Sequence, residues 1–360
     1  MQPEGISVMQ GGLTIAAQLR HSSTSAFANV LIVACCSIAC LADAVAEPVR
    51  IGLTRSAGAG PMYIAVGEGY FVAEGLEPKL AFLANDALVA DAVASGKVDF
   101  AVTELNAEYF ALAARRNLKM IMSGEADHPG YPGDALIVTR KAYEQGLRDW
   151  KNLVGRRIGI PGPGSGSRYA LARMFKRDGL QSEKITLVSL RTPEMQVGAL
   201  MRGQVDAAIV PAATAQRVAT QGNGKVLRWI GDEAPWQKRV VVTRSETIQS
   251  KRAFVERFVK AYQRGSSEYD VTFLQRDDGS DVIAGPRFDQ YLGLIAQYTR
   301  LPPATLQRQL SWADRLLRID VGDVERQLEF WQRLGLVDRS ISAKDLLDLS
   351  FMPAHIVTER

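Results

Sequence analysis

Two stretches of this chain repeat one another 107 positions apart. Ile51-Gly52-Leu53 is matched by Ile158-Gly159-Ile160, and Ala92 to Val102 by Ala199 to Ile209, with Ser95-Gly96-Lys97-Val98-Asp99 answered by Arg202-Gly203-Gln204-Val205-Asp206. One constant offset across a strand, a glycine loop, a helix and a second strand means that a whole supersecondary unit is duplicated. Two copies of such a unit build two similar lobes, and two facing lobes enclose a cleft.

Each copy reads as α/β. In the first, Val49 to Thr54 is a strand, Ser56 to Pro61 a loop, and a helix opens near Met62; Glu77 to Phe82 is a strand, Ala87 to Ser95 a helix stopped by Gly96, and Val98 to Val102 a strand. The second copy repeats the order, with strands at 157–160, 185–190 and 205–210 and helices at 168–176 and 193–201. Helices between short apolar strands give crossover units and a mostly parallel sheet. The extended segments 134–140 and 238–244 bracket the second copy and read as two hinge crossings. Lobe one is then 47–136 plus 243–360, with a helical C-terminal part, and lobe two is 137–242. Ala253 to Tyr269 is a helix with Phe254, Val255, Phe258, Val259 and Tyr262 on one apolar face.

Residues 1–46 differ in kind. Ala26 to Ala46 is almost uncharged, follows Arg20, and ends in Ala44-Val45-Ala46 before Glu47. A basic start, a short apolar run and a small-x-small site are the marks of a cleaved export signal. The three cysteines, Cys35, Cys36 and Cys40, all lie in this stretch. Cleavage near Ala46 leaves a mature chain with no thiol chemistry and no disulfide; lipidation at Cys35 is the alternative, and would tether the protein to a membrane. The remaining composition, 47% hydrophobic and 23% charged with a formal charge of +4, is that of a globular protein without the basic block expected of a large nucleic-acid footprint.

The order and spacing of several motifs resemble a known family. Gly58-Ala59-Gly60-Pro61-Met62-Tyr63-Ile64-Ala65, Gly69-Tyr70-Phe71, Glu74-Gly75-Leu76, Leu153 to Pro161, and the two Gly-x-Val-Asp turns are similar to periplasmic binding proteins of nitrate, sulfonate and taurine importers, a fold family shared with fungal thiamine-pyrimidine synthesis proteins. The resemblance implies a type II periplasmic binding fold with two lobes and two hinge crossings. It implies solute capture in the periplasm and partnership with ABC permease subunits and a cytoplasmic ATPase, by a monomer. A ligand-sensing module for a membrane receptor is the alternative use of the same fold.

Residue chemistry selects the candidate contacts. Ser56, Gly58, Ala59 and Gly60 connect a strand to a helix start, where small side chains let a ligand approach exposed backbone N–H groups. Ser165, Gly166, Ser167 and Arg168 occupy the corresponding place in lobe two, with Ser167 able to cap or bind, and Arg168 to reach an oxyanion or to fold back over its own helix. Thr103, Glu104 and Thr214 follow strands beside a sheet crossover; Asn85 faces the cleft or caps a helix. Tyr63, Tyr131 and Trp236 are candidates to cover a planar ligand. An organic carboxylate or sulfonate is the expected ligand, with a cationic pyrimidine as the alternative if Glu104 points inward.

Catalysis is not expected. His128 is the sole plausible catalytic histidine, the glycine run lacks the Lys-Ser/Thr ending of a nucleotide-binding loop, and no nucleophile elbow or metal-binding spacing is present. Neither a cofactor nor a metal is called for.

Overall fold

The structure, a computed structural model, describes residues 46–180, 184–277 and 283–352. The expected export signal and the three cysteines lie outside the described residues, and of the expected cleavage site only Ala46 is described.

Thirteen strands form three sheets among the described residues. The first sheet takes β1 (Glu47–Leu53), β2 (Leu76–Phe82), β3 (Phe100–Glu104), β4 (Leu118–Ser123) and β12 (Arg239–Arg244), in the order β2-β1-β3-β12-β4. The second takes β6 (Asp134–Thr139), β7 (Arg157–Ile160), β8 (Thr186–Ser189), β9 (Ala207–Pro211) and β10 (Gly224–Trp229), in the order β10-β6-β9-β7-β8. Between them β5 (Glu125–Asp127) pairs with both β11 (Trp236–Gln237) and β13 (Trp312–Ala313). Each large sheet is therefore an α/β layer with one returning antiparallel strand, β12 or β6, inserted into it.

The duplication extends to hydrogen bonds. Ile51 and Gly52 of β1 face Phe100 and Ala101, as Ile158 and Gly159 of β7 face Ala207 and Ala208. The backbone N–H of Arg50 donates to Asp99 Oδ2 at 2.9 Å, and that of Arg157 to Asp206 Oδ2 at 2.8 Å. These aspartates hold the neighbouring strand in register.

Segments 134–140 and 238–244, expected as the two hinge crossings, are largely the strands β6 and β12. Their hydrophobic cores, Ala135 to Val138 and Val240 to Val242, are fully buried, so they complete sheets. Just before them, β5 and β11 pair in the small central sheet, and we take the chain there, around Gly124–Gly133 and Trp236–Gln237, as the crossings. The C-terminal part also departs from a simple assignment to lobe one. Helix Val321–Arg333 packs against helix Gly166–Arg177 of the second lobe, Phe330 meeting the edge of Tyr169 at 5.5 Å, before Leu347 bridges to Met120 of the first sheet.

Burial follows the periodicity. Helix Arg252–Phe273 lays Phe254, Val255, Phe258, Val259 and Tyr262 on the first sheet, with Phe258 stacked on Phe100 at 3.7 Å. Each such side chain contributes roughly 1.5–3 kcal/mol on burial. Gly265 lets this helix approach Gly60–Gly67, since a Cβ there would lie 2.4 Å from the Pro61 carbonyl oxygen.

Candidate functional site

The carboxyl ends of β1, β3, β7 and β9 face one another, and the lobes touch there. Ala107 N–H of lobe one donates to the Gly164 carbonyl of lobe two at 3.0 Å. Around this contact lies a network of buried charge. Arg239, at the start of β12, donates through Nε to Glu125 at 3.0 Å and through both terminal nitrogens to Asp86. Lys238 turns the other way, donating to Asp134 at 2.6 Å with Asp127 at 3.7 Å. Lys238 lies in the link between β11 and β12, so this dipeptide sends one cation toward Asp86 and Glu125 and the other toward Asp127 and Asp134.

Five carboxylates, Asp86, Glu104, Glu125, Asp127 and Asp134, thus surround two cations. The excess acid is reflected in proton affinity. Burial, reinforced by Asp86 and Asp134 and opposed by Lys238 and Arg239, pushes the Glu104 carboxyl up to about 8. Burial also lifts Asp127 to about 7 against the pull of Lys238. For Lys238 and Arg239, burial disfavours the charge, but the surrounding carboxylates outweigh it and hold both firmly protonated.

The sequence candidates divide according to their place in this network. Glu104 is half-buried and faces lobe two: a Cβ on Gly166 would lie 2.9 Å from Glu104 Oε1 and 2.2 Å from the Trp236 ring. Trp236 is buried, and its indole N–H donates to Asp127 at 3.1 Å. Ser167 donates to Asp134 at 3.3 Å, and Thr103 to the Asp86 carbonyl at 3.1 Å. Gly58 abuts Glu125, whose Oε2 would be 2.1 Å from a Cβ there. Glu104, Thr103, Gly58, Gly166, Ser167 and Trp236 are therefore brought together.

The others have different neighbours. Asn85 caps helix Asp86–Ala94, accepting from Leu88 N–H at 3.0 Å. Arg168 folds back to the Pro163 carbonyl at 2.8 Å, as its alternative reading allowed. Ser165 donates to the Gly162 carbonyl at 2.8 Å, closing its own loop. Tyr63 is fully buried and stacks on Tyr298 at 4.7 Å, and burial pushes its hydroxyl to about 12. Ala59 is buried, and Gly60 lies beneath the Tyr269 ring. Ser56 precedes the helical turn Ala57–Ala59 without a side-chain capping bond. Thr214 is buried in the first turn of helix Ala212–Thr220. Tyr131 sits at the crossing, donating to the Leu274 carbonyl at 2.6 Å.

Sequence reasoning did not select Glu125, Asp127, Asp134, Lys238, Arg239 or Asp323 as site residues. Asp323 is fully buried and accepts from Tyr169 at 2.6 Å, Arg173 at 3.0 Å and the Gln237 backbone at 2.9 Å, tying the C-terminal helix to the second lobe and the hinge. The available signal was the pair Lys238-Arg239 opening a strongly apolar strand, where a charge must find a buried partner. Among the described residues no group of three or more His, Cys, Asp or Glu is arranged to hold a metal ion.

Two α/β lobes on separate five-stranded sheets, joined by paired crossings and meeting at their helix starts, define a type II periplasmic binding protein fold. The chain belongs to the NMT1/THI5-like family, whose sequence profile matches residues 57–269. It is similar to the riboflavin-binding protein RibY of Chloroflexus aurantiacus, at 25% identity over 81% of this chain and 82% of that one. Its fold is similar to the periplasmic aliphatic sulphonate-binding protein SsuA of Escherichia coli, with a TM-score of 0.65 at 16% identity over 87% of this chain and 96% of that one. It is likewise similar to the ligand-binding component of an ABC-type import system from Staphylococcus aureus, with a TM-score of 0.64 at 16% identity over 85% and 97%.

Proposed function

We propose that the protein is the extracytoplasmic solute-binding component of an ABC importer. Its two lobes close on a small solute, and the closed form engages permease subunits powered by a cytoplasmic ATPase. The similar proteins named for riboflavin, sulphonate and ABC-type import support this role. The site supports capture over turnover: Asp86, Glu125, Asp127 and Asp134 are tied into ion pairs with Lys238 and Arg239 at the hinge. Among the described residues no helix is long and apolar enough to cross a membrane.

For the ligand, the geometry favours a neutral or cationic solute rich in hydrogen-bond donors, such as a planar nitrogen heterocycle, over a carboxylate or sulfonate. One observation carries this preference: the glycine loops that suit an anion already face the protein's own carboxylates. Glu125 lies against Gly58, Glu108 against Gly164, and Glu104 against Gly166. These side chains occupy the space beside the loops that an incoming anion would need, whereas ring N–H groups meet carboxyl acceptors. The riboflavin-binding relative agrees with a planar ring.

A thermal-shift panel tests the reading with riboflavin, 4-aminopyrimidine, ethanesulfonate and benzoate. Stabilisation by a ring compound and not by the anions is expected. Stabilisation by ethanesulfonate or benzoate alone would overturn the ligand class while leaving solute capture intact.

A further inference from the structure

Strand register places Arg244 of the first sheet and Thr139 of the second at equivalent points. Val242 of β12 faces Ala101, and Ile137 of β6 faces Ala208, the duplicate of Ala101; Arg244 and Thr139 each stand two residues further along. Arg244 closes a corner of its lobe. Its Nη1 donates to the carbonyls of Val93 and Val98 at 3.0 and 3.3 Å, and a Cβ on Gly96 would lie 3.1 Å from that nitrogen.

Val93, Gly96 and Val98 are duplicated as Leu200, Gly203 and Val205. There the corner is open. A Cβ on Gly203 would meet nothing within 4 Å, and the three residues line, with Thr139, a cavity of about 540 Å³. Thr139 is too short to fill it, and its hydroxyl accepts from Ala142 N–H at 3.1 Å to start the helix Arg140–Glu144. The neighbouring arginines leave the space free: Arg140 lies beside Gly222, and Arg157 binds Asp206 and the Gly203 carbonyl without lining the cavity. Asp206, Lys141 and Arg156 complete the charged lining. Among the described residues neither Lys141 nor Arg156 forms an ion pair.

We propose that this cavity is a second small-molecule site, taking a guanidinium compound that carries a carboxylate, as free arginine does. The guanidinium takes the place that Arg244 holds in lobe one, donating to the Leu200 and Val205 carbonyls beside Asp206, and the carboxylate meets Lys141 and Arg156. A guanidinium presents five N–H donors in one plane and so serves two carbonyls at once. The volume lies in the range of small-molecule sites. The cavity belongs to lobe two alone, at the end of its sheet where β7 and β9 begin, whereas the cleft lies at their carboxyl ends. The proposal is therefore independent of the cleft solute.

Titration calorimetry of the full chain with L-arginine, L-citrulline and agmatine tests it. L-citrulline carries an uncharged urea in place of the guanidinium, and agmatine lacks the carboxylate. Saturable 1:1 binding of L-arginine is expected, with each comparison weaker by about tenfold for the lost charge-assisted bonds. Thr139→Arg copies the lobe-one arrangement, so its own side chain should fill the cavity and weaken L-arginine by at least about tenfold. Lys141→Glu, at an exposed position away from the core, should weaken it by about tenfold. No saturable heat, equal binding of L-arginine and L-citrulline, or binding lost in Gly166→Leu but unchanged in both Thr139→Arg and Lys141→Glu would overturn the site. Agmatine binding as tightly as L-arginine would overturn the part assigned to Lys141 and Arg156.

Discussion

The loops Ser56–Gly60 and Gly162–Ser167 occupy equivalent places in the duplicated unit, but they are completed by different parts of the molecule. The first is finished from its own lobe and the hinge: Tyr269 and Ile295 cover Gly60, and Glu125 fills the space beside Gly58. The second is completed only across the cleft, by Glu104 and Glu108 of lobe one and by Trp236 of the hinge. The same glycine-rich helix start is therefore a fixed part of one lobe and a closure surface of the other. Ancestry set the common geometry, and the partners set the role.

The largest expected effect comes from the cations that hold this arrangement. Arg239→Met leaves Asp86 and Glu125 without their partner, and Lys238→Met does the same to Asp134 and Asp127. Loss of one member of a buried pair costs about 3–5 kcal/mol, readable as a lower urea midpoint. A loss under about 1 kcal/mol would show that the network is solvated, removing the basis for the comparison.

The next contrast separates the loops directly. Gly58→Leu places a side chain into Glu125 within a finished wall and should reduce global stability by about 1–3 kcal/mol. Gly166→Leu meets Trp236 of the hinge and Glu104 of lobe one, so beyond any loss of stability it should lower solute affinity about 10- to 100-fold. Equal stability losses and equal affinities in the two variants would erase the distinction.

A smaller effect tests the proton on Glu104. Its carboxyl is lifted from 4.5 to about 8, chiefly by burial and then by Asp86, so the folded chain retains a proton that the unfolded chain releases. The associated stability is complete below about 4.5, declines as pH rises, and is lost above about 8. Asp127 adds a slope of the same sign between 3.8 and about 7. Glu104→Gln should therefore match wild type more closely near pH 5 and melt about 2–4 °C higher near pH 8.5. A wild-type melting temperature that rises across this interval relative to Glu104→Gln would contradict the assignment. The smallest effect is Gly162→Ala: a Cβ there meets nothing within 4 Å, and stability should stay within about 0.5 kcal/mol of wild type.

Much of the fold was legible because the duplication carries it. The offset that pairs Ile51 with Ile158 also pairs their partners across the sheet, and the apolar face of Phe254, Val255, Phe258 and Val259 located the long helix. Of the candidate site, sequence could point to the residues that backbone geometry marks, Gly58, Gly166 and the strand end carrying Glu104. It was not legible at Glu125, Asp127 and Asp134, whose importance comes from Lys238 and Arg239 more than a hundred positions away. Sequence order does not encode that proximity. Nor did it reveal that the anion-suited loops meet internal carboxylates, because Glu104 and Glu108 reach lobe two only through the tertiary arrangement of the lobes.

The most direct measurement of the central claim is calorimetric titration of ethanesulfonate into wild type and the double variant Glu104→Ala/Glu108→Ala. The account predicts no saturable binding to wild type and measurable binding once the two carboxylates are removed from the lobe-two helix start. Tight binding to wild type that is unchanged or lost in the double variant would contradict it.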